Sequence, residues 1–144
     1  MPRSEAKVSD DVPLVLLVED SPDDAYFFQR QLGKLPQQYV LRHVCDGQAA
    51  VDLISERLAA SAPLPDAVFL DLKMPVMNGF DFLAWAREQP FAEALRITVL
   101  SGSDQPADRA RATSLGAGGY LVKPITSLDL DQALAHLHST SLDT

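Results

Sequence analysis

Three carboxylates stand at the carboxyl ends of apolar runs. Glu19 and Asp20 directly follow LVLLV (Leu14 to Val18), and Asp71 closes AVFLD. Two further polar groups hold comparable places, Ser101 after ITVL (Ile97 to Leu100) and Lys123 after YLV (Tyr120 to Val122). If those runs lie parallel in one sheet, all five groups share one rim. Clustered carboxylates repel one another and call for a cation. Hard oxygen ligands with no His or Cys beside them suit Mg²⁺, which keeps several waters and combines one or two carboxylates with phosphate oxygens. Phosphoryl transfer needs a carboxylate nucleophile, a metal on the phosphoryl oxygens, and further donors that neutralise them. The five groups supply each of these.

The elements that must position them alternate along the chain. LVLLV is uniformly apolar, as in a strand covered on both faces. Ser21 caps the helix that follows, Pro22 suits its first turn and Asp24 completes a capping-box spacing, with Ala25, Phe28, Leu32 and Leu35 on one face. YVLRHV (Tyr39 to Val44) carries Arg42 and His43 and reads as an edge strand. A second helix follows Asp46 and Gly47, with Val51, Ile54 and Leu58 at helical spacing, until SAPLP breaks it. After AVFLD, Asn78 and Gly79 open a third helix carrying Phe80, Leu83 and Trp85. ITVL gives the fourth strand. A weak, Ala-rich fourth helix spans about Pro106 to Leu115, ended by Gly116, and should be loosely held. YLV is the fifth strand, and Leu130, Ala133, Leu134 and Leu137 stripe a last helix ending near His138.

A fivefold βα alternation predicts an α/β fold with a five-stranded parallel sheet and helices on both faces. The most apolar runs belong at the centre, which favours strand order 2-1-3-4-5. Ligands of such sheets bind beyond the strands' carboxyl ends where the order reverses, here between strands one and three. That is where Glu19, Asp20 and Asp71 fall.

Bulk properties narrow the function classes. The 144 residues fit one domain, and 47% hydrophobic with 22% charged residues can bury a core. A formal charge of -8 opposes the phosphate backbone of nucleic acid. The start lacks a secretory core and no stretch suits a bilayer span, so the expected location is the cytoplasm, with no membrane insertion. Cys45, the only cysteine, leaves no internal disulfide; it reads as a small, buried or half-buried residue. The expected organisation is a flexible leader at 1–13, one domain at 14–139 and a tail at 140–144, with no room for an output domain.

The motifs LLVEDSPDD, FLDLKMPVMNG, VLSGS and GGYLVKP, in that order, resemble the response-regulator receiver domains of two-component signalling over roughly Leu14 to Leu137. Each is weak alone; together they are specific. The resemblance implies the flavodoxin-like, CheY-like fold and phosphorylation of Asp71. It further implies Mg²⁺ held by Asp20, Asp71 and the backbone carbonyl of Lys73, with Glu19 helping through water. Ser101 and Lys123 would hold the phosphoryl oxygens. Tyr120 would be the switch aromatic that moves inward with Ser101 and alters a partner-binding face. The implied donor is a sensor histidine kinase or histidine phosphotransfer protein, and VEDSPDDAYFF resembles stand-alone receivers that partner phytochrome-type kinases. A homodimer is a further implied partner state. Such a protein is a phospho-acceptor, not an enzyme, and catalyses only its own phosphorylation and dephosphorylation. Lys73, two places after the acceptor, adds a second cation near the pocket, and Gly102 leaves Asp71 open to solvent.

Plainer readings compete. Glu19 and Asp20 could serve only the dipole of the next helix, Asp71 only a turn, and Tyr120 only a strand edge. The convergence of Asp71 and Lys123 on the same rim favours the pocket. His43, His136 and His138 suit structural or solvent roles, since the last two face apart on a helix. The rival functions are a receiver-like module that binds partners without phosphorylation, an aspartyl-phosphate hydrolase, and a flavodoxin-like cofactor protein. A hydrolase would want an acid where Lys73 stands. A cofactor protein would want a phosphate-cradling loop where EDSPDD stands.

Overall fold

The computed structural model describes residues 12–137. Most of the expected leader, the tail at 140–144 and His138 lie outside that range. Five strands, β1 (Leu14–Val18), β2 (Val40–Val44), β3 (Ala67–Asp71), β4 (Ile97–Ser101) and β5 (Gly119–Val122), alternate with five helices. These are α1 (Pro22–Gly33), α2 (Gly47–Ala59), α3 (Gly79–Arg87), α4 (Pro106–Ser114) and α5 (Ser127–Ala133). A short 3-10 turn at Ala92–Ala94, not anticipated from the sequence, leads into β4. The strands pair in parallel in the order β2-β1-β3-β4-β5, as expected.

Strand alternation divides the core in two. Leu16 and Val18 of β1 join Val68 and Leu70 of β3 under α2, α3 and Ala112 of α4. Val15, Leu17, Ala67 and Phe69 face the other way, against Ala25, Phe28 and Leu32 of α1 and against Leu130 and Leu134 at α5. There the Phe28 and Phe69 rings lie 5.1 Å apart. β1 and β3 are buried along almost their full length, whereas β2 alternates between exposed and half-buried. Edge and centre are thus where apolar content put them.

Two helix faces differ from the sequence reading. α2 buries Gly47, Ala50, Leu53 and Ile54. Val51 is only half-buried and Leu58 is exposed, so the buried face is rotated from the bulky stripe, and Gly47 packs so closely on the Met77 backbone that a Cβ there would stand 2.6 Å from its carbonyl oxygen. α3 buries Gly79, Phe82, Leu83 and Ala86, leaving Phe80 and Trp85 at the margin. The regular part of α5 stops at Ala133. Cys45 is exposed, contrary to expectation, because it stands where β2 has left the sheet.

α4 has a single buried residue, Ala112. It is held instead from its flanks, where the Arg109 guanidinium lies 4.6 Å from the Tyr120 ring centre and that of Arg111 lies 4.1 Å from the Phe80 ring centre. Arg87 of α3 also donates to the Ser114 carbonyl at 3.2 Å. Gly116, with φ of +102°, ends the helix in a conformation that a side chain would strain.

Candidate functional site

The carboxyl end of β1 is fixed by its neighbour. Glu19 donates its N–H to the Val44 carbonyl at 3.0 Å, and the His43 imidazole lies 2.8 Å from the Glu19 carbonyl. The turn that carries both acids is therefore tied to the edge strand. Glu19 is buried to 1% exposure, and both of its carboxylate oxygens are engaged. Oε2 accepts the Ser21 N–H at 3.1 Å, and Oε1 accepts the Lys123 ammonium at 2.8 Å.

This alters the reading of the α1 start. Ser21 does cap Asp24, accepting its N–H at 3.2 Å, but the Ser21 N–H goes to Glu19 and not back to Asp24. The Asp24 carboxylate turns instead to Lys123, 2.9 Å from its ammonium. Asp24 is the site residue that sequence reasoning missed. A partner 99 positions away leaves no local signal, and the capping spacing gave its carboxylate a plausible local use.

Asp71, the last residue of β3, is 6% exposed. Its Oδ1 lies 3.5 Å from the Lys123 ammonium. One carboxylate oxygen each from Glu19, Asp20 and Asp71 lies within 4.8 Å of the others, and Asp20 is exposed. All the donors are carboxylate oxygens, the set a hard divalent cation prefers, and the exposed side of the cluster gives it an entry path.

Burial pushes the Asp71 carboxyl up to about 7, and the Glu19 carboxylate adds to the rise. Lys123 and a backbone N–H of Lys73 pull the other way without cancelling it. For Lys123, burial favours the neutral amine, but Asp24, Glu19 and Asp71 outweigh it and hold the ammonium charged well above the usual lysine range. The arrangement has more negative charge than one ammonium satisfies.

The loop after Asp71 is boxed by two glycines. Gly79 donates its N–H to the Leu72 carbonyl at 3.0 Å, and Gly47 to the Met77 carbonyl at 2.9 Å. Within it Val76 has φ of +68° and is 82% exposed. A β-branched residue pays heavily for that conformation, whereas Asn tolerates it. Val76→Asn is expected to raise unfolding stability by about 1 kcal/mol, read as a higher urea midpoint at unchanged slope.

Ser101 closes β4, is 3% exposed, and pairs with Val122 across the sheet. Its Oγ accepts the Ser103 N–H at 3.1 Å, while the Ser103 carbonyl accepts the Tyr120 hydroxyl at 2.8 Å. The aromatic hydroxyl thus reaches the backbone two residues beyond Ser101. Arg109, over the Tyr120 ring, is itself anchored to Asp104 at 2.7 Å. Lys73 has an exposed side chain at the rim. Glu19, Asp20, Asp71 and Lys123 come together as one cluster, and Ser101 and Tyr120 join through the β4–α4 loop.

A doubly wound parallel sheet with an acidic cluster and a lysine at its switch point defines the class of the domain. A family model for the response regulator receiver domain matches residues 15–135. The chain is 28% identical over 132 residues to the response regulator Rcp1 of Synechocystis sp., covering 91% of this chain and 90% of that protein. It is 31% identical over 124 residues to a probable cyclic di-GMP phosphodiesterase of Vibrio cholerae, covering 86% of this chain but only 26% of that longer protein. Among solved structures, the phosphorylated cyanobacterial phytochrome response regulator RcpA superposes with a TM-score of 0.73 at 26% identity, over 91% of this chain and 94% of that one. The chain belongs to the response regulator receiver domain family. No helix among the described residues is long and apolar enough to cross a membrane.

Proposed function

We propose that this receiver domain accepts a phosphoryl group on Asp71 from a histidine kinase or histidine phosphotransfer protein, with Mg²⁺ as cofactor. The observation that carries the reading is the meeting of the Glu19, Asp20 and Asp71 carboxylates within 4.8 Å, with the Lys123 ammonium 3.5 Å from Asp71. An Asp71 oxygen forms the new bond to phosphorus as the phosphorus–nitrogen bond of the donor phosphohistidine breaks, and the imidazole leaves with that electron pair. Asp20, Asp71 and the backbone carbonyl of Lys73 would hold the Mg²⁺, which when bound neutralises phosphoryl oxygens and the acceptor's own excess charge. Glu19 orients the cluster from behind, since its two oxygens are already held by Ser21 and Lys123.

Lys123 and the Ser101 hydroxyl take the remaining phosphoryl oxygens. The Ser101 hydroxyl, which accepts the Ser103 N–H, has its own proton to give to a phosphoryl oxygen, and its inward movement pulls on the β4–α4 loop that Tyr120 also holds. The changed face around Tyr120 and α4 is the output of the switch. The likeness to the phytochrome response regulator RcpA supports a phytochrome-type kinase as donor, and the proposed place of action is the cytoplasm. In this step the domain is itself the phosphoryl acceptor, so we read it as a signalling protein that catalyses only its own phosphorylation and dephosphorylation.

The test uses the full chain with Mg²⁺ and acetyl phosphate, followed by intact mass. A single phosphoryl increment is expected on the parent and none on Asp71→Asn. Equal label on both proteins rejects Asp71 as acceptor.

A further inference from the structure

Lys123 stands closer to α1 than to the residue it is expected to serve. Its ammonium is 2.8 Å from Glu19, 2.9 Å from Asp24 and 3.5 Å from Asp71. Glu19 belongs to the acidic cluster, so Asp24 is the partner that draws the ammonium toward the helix, and the contact with the acceptor is the longest of the three. The Asp24 backbone is fixed in place, because its N–H is held by the Ser21 cap and Ser21 is in turn bound to Glu19, and from there its half-exposed carboxylate reaches Lys123.

We propose that Asp24 is a positioning residue that holds the Lys123 ammonium on the α1 side of the acidic cluster, so that a divalent cation can enter beside Asp71. The inference rests on the metal and phosphoryl chemistry proposed for that site. Without Asp24, the ammonium keeps only Glu19 and Asp71 as partners and settles between them. There it neutralises the oxygens the cation requires, and the two positive charges compete for one place. With Asp24, the ammonium remains within reach of an incoming phosphoryl group without occupying the metal's position. Asp24 therefore acts through Lys123 and touches neither cation nor phosphoryl group.

Calorimetric titration of the full chain with Mg²⁺ tests this. Asp24→Asn is expected to weaken Mg²⁺ binding roughly five-fold or more. Asp23→Asn removes the same charge from the adjacent, exposed position of α1 and should leave the affinity within about two-fold. In a Lys123→Met background, the Asp24→Asn loss should shrink to the size seen for Asp23→Asn, because the group it acts through is gone. Equal effects of Asp24→Asn and Asp23→Asn would overturn the inference, as would an undiminished Asp24→Asn loss in the Lys123→Met protein. A parent that binds no Mg²⁺ overturns it together with the proposed function. A parent that binds Mg²⁺ and is labelled at Asp71, with Asp24→Asn behaving as Asp23→Asn, removes the role of Asp24 alone.

Discussion

Without divalent cation, Asp71→Asn is expected to be more stable than the parent at pH 8 by on the order of 2–4 kcal/mol, and to lose that advantage near pH 4. The reason is the Asp71 carboxyl, raised from 3.8 to about 7 in the folded protein by burial and by Glu19. Between those values the folded state keeps a proton that the unfolded chain has already released. Stability therefore falls as pH rises through the window, by about 1.4 kcal/mol per pH unit at the limit of a full proton difference. Above the folded value the loss is complete and the curve levels. Asparagine carries no charge to bury and lacks that slope. Urea unfolding followed by circular dichroism from pH 4 to pH 8 reads the difference directly. Added Mg²⁺ should restore the parent at pH 8 and do much less for the variant, since it stabilises only a form that binds it. A parent whose stability rises over the same window would show that the cluster does not strain Asp71.

Gly79→Ala is expected to cost roughly 2–4 kcal/mol and to weaken the cation site with it. A Cβ at position 79 would stand 2.6 Å from the Asp71 carbonyl oxygen and 2.7 Å from the Leu72 Cα. Both are backbone atoms, so no rotamer change relieves the clash. Either α3 moves away from the sheet or the Asp71 loop moves, and the Gly79 N–H bond to Leu72 suffers in both cases. Gly33→Ala makes a suitable contrast, because a Cβ there meets nothing within 4 Å. A Gly79→Ala protein with unchanged urea midpoint would mean that the loop yields freely and does not fix the acceptor. If it does fix the acceptor, midpoint and Mg²⁺ affinity should fall together.

The sheet was legible because its signals are local. Leu14 to Val18 and Ala67 to Leu70 are continuous apolar runs, and burial of all but Leu14 follows from that composition without knowledge of the partners. Arg42 and His43 marked β2 as an edge for the same reason. Strand order then placed Glu19, Asp20, Asp71 and Lys123 on one rim, where they meet. Helix faces were less legible. In α2 the large residues Val51 and Leu58 point away from the tightest packing, which Gly47 and Ala50 permit by being small. In α3 Phe80 sits at the margin beneath Arg111, and Phe82 fills the core instead. Hydrophobic periodicity favours bulk, whereas close approach to a neighbouring segment, as of Gly47 to Met77, favours its absence. The second partner of Lys123 was hidden for a different reason. Asp24 is brought to it only by tertiary structure, with α1 packed against α5, and a nearby cap offered its carboxylate an equally ordinary use.

The thin attachment of α4 has a mechanical meaning. Contacts between an exposed guanidinium and an aromatic ring are worth about 0.5–1 kcal/mol each, so the grips of Arg109 and Arg111 together stand near the scale of a few thermal quanta. In the proposed switch a helix fastened that way would serve as a detent: it rests in one seat and yields to a modest push from the neighbouring loop, with Ala112 alone of its residues to lift from the core.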